Sequence, residues 1–270
     1  MHTSGSPDSN LRAQDRFARV LGTRLCLTTY GDFSDRCHAL AREPRPVAVE
    51  FTNTQIVTLR RHDPAYRQLT AAYDLFVPDA TPLIWCLNRR GAGLKDRVYG
   101  PTFMRHCLTH SPADTRHYLL GGSRECGERL RAAARAWNPR VNIIGSAHDR
   151  CLADGQLEGE AEARVMRELH ELSPDFIWVG LGTPKQDAWV QRHKPRLDRG
   201  VILSVGFAFD VNAGTKPDAP GWMQRAGLTW LFRMGSEPRR LFGRYLKYNT
   251  LFLLYLAWDG VRAARLNSKS

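Results

Sequence analysis

The chain has no apolar run long enough to cross a bilayer. A spanning helix takes about 20 apolar residues, whereas the longest run, Leu251 to Trp258, is eight. No membrane-spanning segment is therefore expected. The stretch Met1 to Gln14 is polar and has no apolar centre. It reads as a flexible lead-in and not as a secretory signal, so a cytoplasmic location is expected. The six cysteines, Cys26, Cys37, Cys86, Cys107, Cys126 and Cys151, include no C-x-x-C pair, which argues against a zinc ribbon or a dithiol redox centre. Neither G-x-G-x-x-G nor the Walker A pattern occurs, which counts against an NAD enzyme or a P-loop ATPase. Asp-x-Asp, the metal-diphosphate chelating pair of many sugar-nucleotide enzymes, is also missing. His106 and His110 lie at i, i+4 but lack the Glu of H-E-x-x-H and a third ligand, so they read as solvated histidines and no metal site is expected. Acids are outnumbered, with 27 Asp and Glu against 39 Lys and Arg and a net charge of +12. That excess points to an anionic partner, which could be nucleic acid, a phosphorylated substrate or an acidic lipid surface.

What is present is a core-forming composition. The 270 residues are 43% hydrophobic and 10% aromatic, enough for one large domain or one domain with an appendage. Short apolar runs alternate with helical stretches: Val47 to Phe51, Tyr73 to Val77, His117 to Leu120, Val141 to Ile144, Phe176 to Val179 and Val201 to Val205. The alternation predicts an α/β, Rossmann-like fold. Continuous apolarity in the last two runs predicts a mostly parallel sheet covered on both faces by helices. In such sheets ligands bind beyond the carboxyl ends of the strands. From Lys216 the texture changes: residues 216–270 hold ten bases against three acids and nine aromatics. The division expected is an α/β domain over 1–215, with 1–20 flexible, and a basic, aromatic-rich helical appendage over 216–270.

Four segments could carry chemistry. In Leu75-Phe-Val-Pro-Asp79-Ala-Thr-Pro82 a strand runs into a turn and a helix, with Pro82 in its first turn and Thr81 placed to cap it. Asp79 reads either as a turn residue or as a general base at a strand end. In Phe176 to Asp187, Thr183 is placed as N-cap, Pro184 as first helical residue and Gln186 at capping-box spacing. The same turn, with Gly180, Gly182 and Lys185, suits phosphate at a helix N-terminus. Gly121-Gly122-Ser123 is a weaker version of that arrangement. In the C-terminal segment, Arg240, Arg244 and Lys247 share a helix face among aromatics, a pattern that fits an anionic bilayer, a solvated surface helix or single-stranded nucleic acid.

Taken in order, these motifs resemble the WecG/TagA/CpsF glycosyltransferases. They are Thr52-Asn53-Thr54, Pro78-Asp79, Arg97-Val-Tyr-Gly100, Gly121-Gly122, Gly180-Leu-Gly182-Thr-Pro-Lys185-Gln186, Val205-Gly206 through Asp210 to Gly214, Gly227-Leu-Thr-Trp230-Leu-Phe-Arg233 and Glu237-Pro-Arg239-Arg240. The resemblance implies a cytoplasmic, inverting, metal-independent transferase that needs no cofactor and is peripheral on the inner face of the membrane. It would move a sugar from a nucleotide sugar, UDP- or GDP-linked, to a polyprenyl-diphosphate-linked sugar during surface polysaccharide assembly. It assigns Asp79 as base. Substrate-binding positions implied with it are Thr52, Asn53, Thr54, Arg97, Gly100, Gly121, Gly122, Gly182, Lys185 and Gln186. Arg233, Arg239 and Arg240 fall in an appendage expected to close over the site and meet the membrane. The sequence departs from the family pattern at Ala80, Asp218 and Thr229, and the Asp218 change removes a positive charge near the expected ligand. The alternatives are a nucleic-acid-binding module and a nucleotide-sugar-binding protein without transferase activity. Under the transferase reading no nucleic acid partner is expected.

Overall fold

The computed structural model describes residues 16–267. The chain opens with a hairpin, β1 (Phe17–Val20) and β2 (Thr23–Cys26), paired antiparallel across Leu21 and Gly22, both at positive φ. Then come α1 (Tyr30–Leu40), β3 (Pro46–Thr52), α2 (Thr54–His62), α3 (Pro64–Leu69), β4 (Leu75–Pro78), α4 (Thr81–Asn88) and α5 (Gly100–His110). The second half holds β5 (Arg116–Gly121), α6 (Arg124–Trp137), β6 (Asn142–Ala147), α7 (Ala161–Leu172), β7 (Phe176–Gly180), α8 (Lys185–His193) and β8 (Gly200–Ser204). It ends in helices only: α9 (Ala208–Asn212), α10 (Gly221–Arg225), α11 (Thr229–Ser236) and α12 (Pro238–Asn267).

Six strands form one parallel sheet in the order β4-β3-β8-β7-β5-β6. Successive side chains on a strand point to opposite faces, and the apolar runs feed two cores accordingly. Phe176 and Trp178 of β7, Val201 and Leu203 of β8, and Val47, Val49 and Phe51 of β3 pack with Phe33, Phe103 and Phe209 on one face. Ile177, Val179, Ile202 and Ala48 pack with Leu83, Trp189 and the hairpin's Val20 and Leu25 on the other. The α/β expectation and the double cover by helices are thus met, and the hairpin is an addition. Of the 1–20 stretch expected to be flexible, 1–15 lie outside the described residues, and Phe17–Val20 forms a strand held by Val20, Leu21 and Leu25, whose side chains are buried in the second core.

Two expected caps are replaced. Thr81 does not cap α4: Ala80 holds the N-cap position without a side-chain bond, and the Thr81 hydroxyl donates to the Gln224 carbonyl at 3.2 Å. Thr183 does not cap α8 either. Pro184, joined to Thr183 by a cis peptide, occupies the N-cap, and the Gln186 side chain reaches back to the Gly182 N–H at 3.1 Å. Both helices meet tertiary partners at their first turns, which outweigh the local cap.

Adjacent strands whose outgoing connections run in opposite directions create a crevice at the carboxyl edge of a sheet. Here β5 leads outward to β6, whereas β7 leads inward to β8. The switch point therefore lies between Gly121 and Gly180, which are register partners. At φ +110°, Gly121 brings its backbone so close to Gly180 that a Cβ would lie 2.8 Å from the Gly180 carbonyl carbon.

The long helix α12 lies across the carboxyl half of the fold and packs on α2. Asp259 receives both terminal nitrogens of Arg61 at 2.6 and 2.9 Å, His62 meets the Tyr255 hydroxyl at 2.8 Å, and Thr54 donates to Asn249 at 3.3 Å. Its own Leu241 and Phe252 are buried on the inner side. Its outer side leaves Phe242, Leu246, Leu253, Leu254, Trp258 and Val261 more than half exposed. Among the described residues no helix is long and apolar enough to cross a membrane.

Candidate active site

The carboxyl ends of β3, β4, β7 and β8 surround a cavity of about 130 Å³ that α11 and α12 roof over. Glu50, Asn53, Asp79, Tyr99, Gly182, Gln186, Ser204, Phe207, Arg233, Arg244 and Tyr245 line it. A wider cleft of about 850 Å³, bordered by His38, His106, Arg116 and Asp175, opens at the amino ends of β5 and β7. Strand topology favours the smaller cavity, since ligands of open parallel sheets bind at the carboxyl edge.

Asp79 follows β4 directly, and its N–H bonds back to the Thr52 carbonyl at 2.8 Å, which ties it to the end of β3. Its Oδ1 accepts the Gly100 N–H at 2.8 Å. Asp79 therefore sits at the amino end of α5, where Tyr99 offers no side-chain cap. The carboxyl is enclosed by protein except toward the cavity. Burial raises it to about 7, against the opposing pull of Arg97, the Gly100 N–H and Arg233, while Asp218 adds to the rise. A base with that value exchanges protons readily near neutral pH.

Arg97 is buried and serves as a brace. It donates to the Asp79 carbonyl at 3.2 Å, to Gln224 Oε1 at 3.2 Å and to Thr229 Oγ1 at 3.3 Å, and its guanidinium lies 4.0 Å from the Tyr99 ring centroid. Asp218 accepts the Tyr99 hydroxyl at 2.7 Å and the Gln224 amide at 3.0 Å. Two departures from the family pattern, Asp218 and Thr229, thus belong to one lattice that joins the wall around Asp79 to α10 and α11.

A second polar cluster lies beneath the floor. Glu50 and Ser204 are register partners on β3 and β8, at positions where the second core would otherwise continue. Gln186 Nε2 donates to Glu50 at 3.4 Å. Tyr73 bonds to Asp187 at 3.0 Å and to Ser204 at 2.8 Å, and Tyr66 donates to Asp187 at 3.0 Å. Burial, then the charge of Asp187, pushes the Glu50 carboxyl well above the usual carboxylate range. Asp187 is raised less, because the hydroxyls of Tyr66, Tyr73 and Thr183 bond to its charged form.

The structure brings Asn53, Asp79, Gly182, Gln186 and Arg233 to the cavity wall. Asn53 spends its carbonyl oxygen capping α2, accepting from the Ile56 N–H at 3.2 Å. Thr52 is fully buried and donates to the Glu50 carbonyl, and Thr54 turns to Asn249. Gly100 acts through its N–H on Asp79. Gly121 and Gly122 lie outside the cavity, at the adjoining switch point. Lys185 and Arg239 are exposed and do not line the cavity, and the side chain of Arg240 lies outside the described residues. Arg244 and Tyr245, Tyr99 and Glu50 were not singled out as site residues. Of these, Arg244 carried a signal in its place on the basic face with Arg240 and Lys247, and Tyr99 stands inside the Arg97-Val-Tyr-Gly100 motif. Among the described residues no three His, Cys, Asp or Glu side chains converge as metal ligands.

The sequence profile described as Glycosyl transferase WecG/TagA/CpsF family matches residues 18–266. A Staphylococcus aureus (strain MRSA252) protein named N-acetylglucosaminyldiphosphoundecaprenol N-acetyl-beta-D-mannosaminyltransferase is 31% identical over 206 residues, 76% of this chain and 77% of that one. Its counterpart of the same name from strain MW2 is 30% identical over the same shares.

Proposed function

The chain belongs to the WecG/TagA/CpsF glycosyltransferase family, and on that premise we propose that it transfers a sugar from a UDP- or GDP-sugar to a sugar carried on a polyprenyl diphosphate. The observation that carries the reading is Asp79: a carboxyl at a strand end, opening on the cavity and titrating at about 7. In the proposed step the Asp79 carboxylate takes the proton of an acceptor hydroxyl. That oxygen bonds to the anomeric carbon, the bond from this carbon to the donor diphosphate breaks, and the nucleoside diphosphate leaves with the electron pair. Configuration inverts in this single displacement. A retaining route would need a second carboxylate as nucleophile, and the other carboxyl on the cavity wall, Glu50, is buried and tied to Gln186.

The charge gathering on the leaving diphosphate is assigned to Arg233 and Arg244, so that no metal ion is required. The paired glycine turns at the β5/β7 switch point and the amino end of α6 suit the donor's nucleotide. A groove of about 720 Å³ shares Gln55, Thr183 and Arg244 with the cavity and continues past Leu59, Leu69, Pro184 and Tyr248. Its apolar lining suits the first isoprene units of the acceptor. The names of the Staphylococcus relatives support an acceptor of this chemical class.

The test is a transfer assay with a diphosphopolyprenol-linked N-acetylglucosamine acceptor, UDP- and GDP-sugars, and EDTA present. Transfer by the parent and a loss of about a hundredfold or more in kcat for Asp79→Asn are expected. Near-parental turnover by folded Asp79→Asn removes the base assignment. Failure of every nucleotide sugar on this acceptor removes the acceptor class.

A further inference from the structure

Glu50 is a carboxyl in a place built for an apolar side chain. It lies on the face of β3 that carries Ala48 into the second core, it is 1% exposed, and among the described residues no basic side chain forms an ion pair with it. A buried, unpaired carboxylate is very costly, and the usual resolution is to keep its proton. Gln186 presents an amide N–H to Oε2 at 3.4 Å. Tyr73 has one hydroxyl proton, which goes to Asp187 Oδ1. Its oxygen is then left to accept from the Ser204 hydroxyl at 2.8 Å, and Tyr73 has no second proton to offer a Glu50 carboxylate.

We propose that Glu50 works as a neutral carboxylic acid that positions Gln186 by accepting from its amide. Tyr66 and Tyr73 hold Asp187, the next residue in the first turn of α8. The Glu50 bond ties that turn to β3 and orients the Gln186 amide with Oε1 toward the Gly182 N–H and Nε2 toward the floor. An amide free to flip would offer Gly182 a donor in place of an acceptor. This inference rests on the reading of the cavity as the transfer site. Glu50 is a positioning residue, acting through Gln186.

The groups that face Glu50 are Asp187 and Gln186 from α8, Tyr73 before β4, Tyr66 from α3, Asp79 after β4 and Arg60 from α2. Among them Asp187 and Asp79 disfavour a charge on Glu50. The sign of the pH dependence follows. An acid that keeps its proton in the folded state stabilises the fold fully below its unfolded value, and that contribution is lost as pH rises toward the folded value. Glu50→Gln accepts and donates as the neutral acid does, and has no proton to lose.

Thermal unfolding of the full chain should show Glu50→Gln gaining on the parent as pH rises from 5 to 8, by about 2–4 °C or more. A gap that moves the other way means that Glu50 is charged in the fold and overturns the proposal. In the transfer assay Glu50→Ala should lose about tenfold, and Glu50→Gln should recover to within about threefold of the parent. A loss in Glu50→Gln as deep as that of Asp79→Asn also overturns it. In a Gln186→Ala background, Glu50→Ala should add less than about twofold, since both remove one unit; multiplying losses would mean that Glu50 does not act through Gln186. The unfolding experiment uses no substrate, so a wrong substrate class leaves it intact.

Discussion

As the proposed base, Asp79 would answer two opposed demands at a single residue. That role needs it charged to take a proton, yet protein encloses it on every side but the cavity. The Gly100 N–H, Arg97 and Arg233 bring the value back from where burial alone would leave it. In the proposed role Asp79 acts only when ionised, so kcat/KM should climb with pH through an apparent value near 7 and level off above it, measured between pH 5.5 and 9. Folding responds in the opposite sense. Stability linked to Asp79 is full below the unfolded value and declines as pH approaches 7, so Asp79→Asn should unfold at or above the parent's Tm at pH 8. Asp79 was visible in the sequence because a strand followed by a proline-started helix leaves a strand-end carboxylate. Glu50 was not. A single acid in an apolar run gives no hint that Ser204 and Gln186 wait across two other elements. Arg97 was visible as a residue but its brace function was not, since its partners Gln224 and Thr229 are more than a hundred positions away.

Elements were legible where periodicity or continuous burial governs them. The strands of the sheet were read to within a few residues, since burial on both faces demands apolar side chains at every position. The hairpin escaped, being short and set in a stretch whose exposed positions are polar. The caps of α4 and α8 were misread because tertiary bonds claim Thr81 and place Pro184 at the N-cap. Close approach of elements at the switch point rests on glycine, and Gly180 tests it. A Cβ there would lie 2.6 Å from the Phe209 ring, which is itself buried. Gly180→Ala should cost about 1–3 kcal/mol in denaturant unfolding. Gly182, near which a Cβ meets nothing, is constrained instead by its φ of +74°.

At the scale of the whole molecule the basic, aromatic-rich final stretch has two sides of different character. The inner side of α12 docks on α2 through Asn249, Phe252, Tyr255 and Asp259, and its amino end carries Arg244 and Tyr245 to the cavity. The outer side exposes Phe242, Leu246, Leu253, Leu254 and Trp258 beside Lys247 and Arg262, a combination suited to an anionic bilayer. Flotation with vesicles containing anionic phospholipid should retain the full chain. Replacing Leu246, Leu253 and Trp258 by Ser should leave most of it unbound at 0.15 M salt, and equal flotation would remove the membrane-facing assignment. Composition and order of residues sufficed for the α/β class, the strand-end position of Asp79 and the placement of charge and aromatics after residue 215. These depend on local pattern, and local pattern is written in neighbouring positions. Folding alone decided which face of α12 points inward, which bases reach the cavity and that Glu50 keeps its proton. Those outcomes depend on distance through space and on exclusion of water, and both arise only when β3, β8, α8 and α12 have come together.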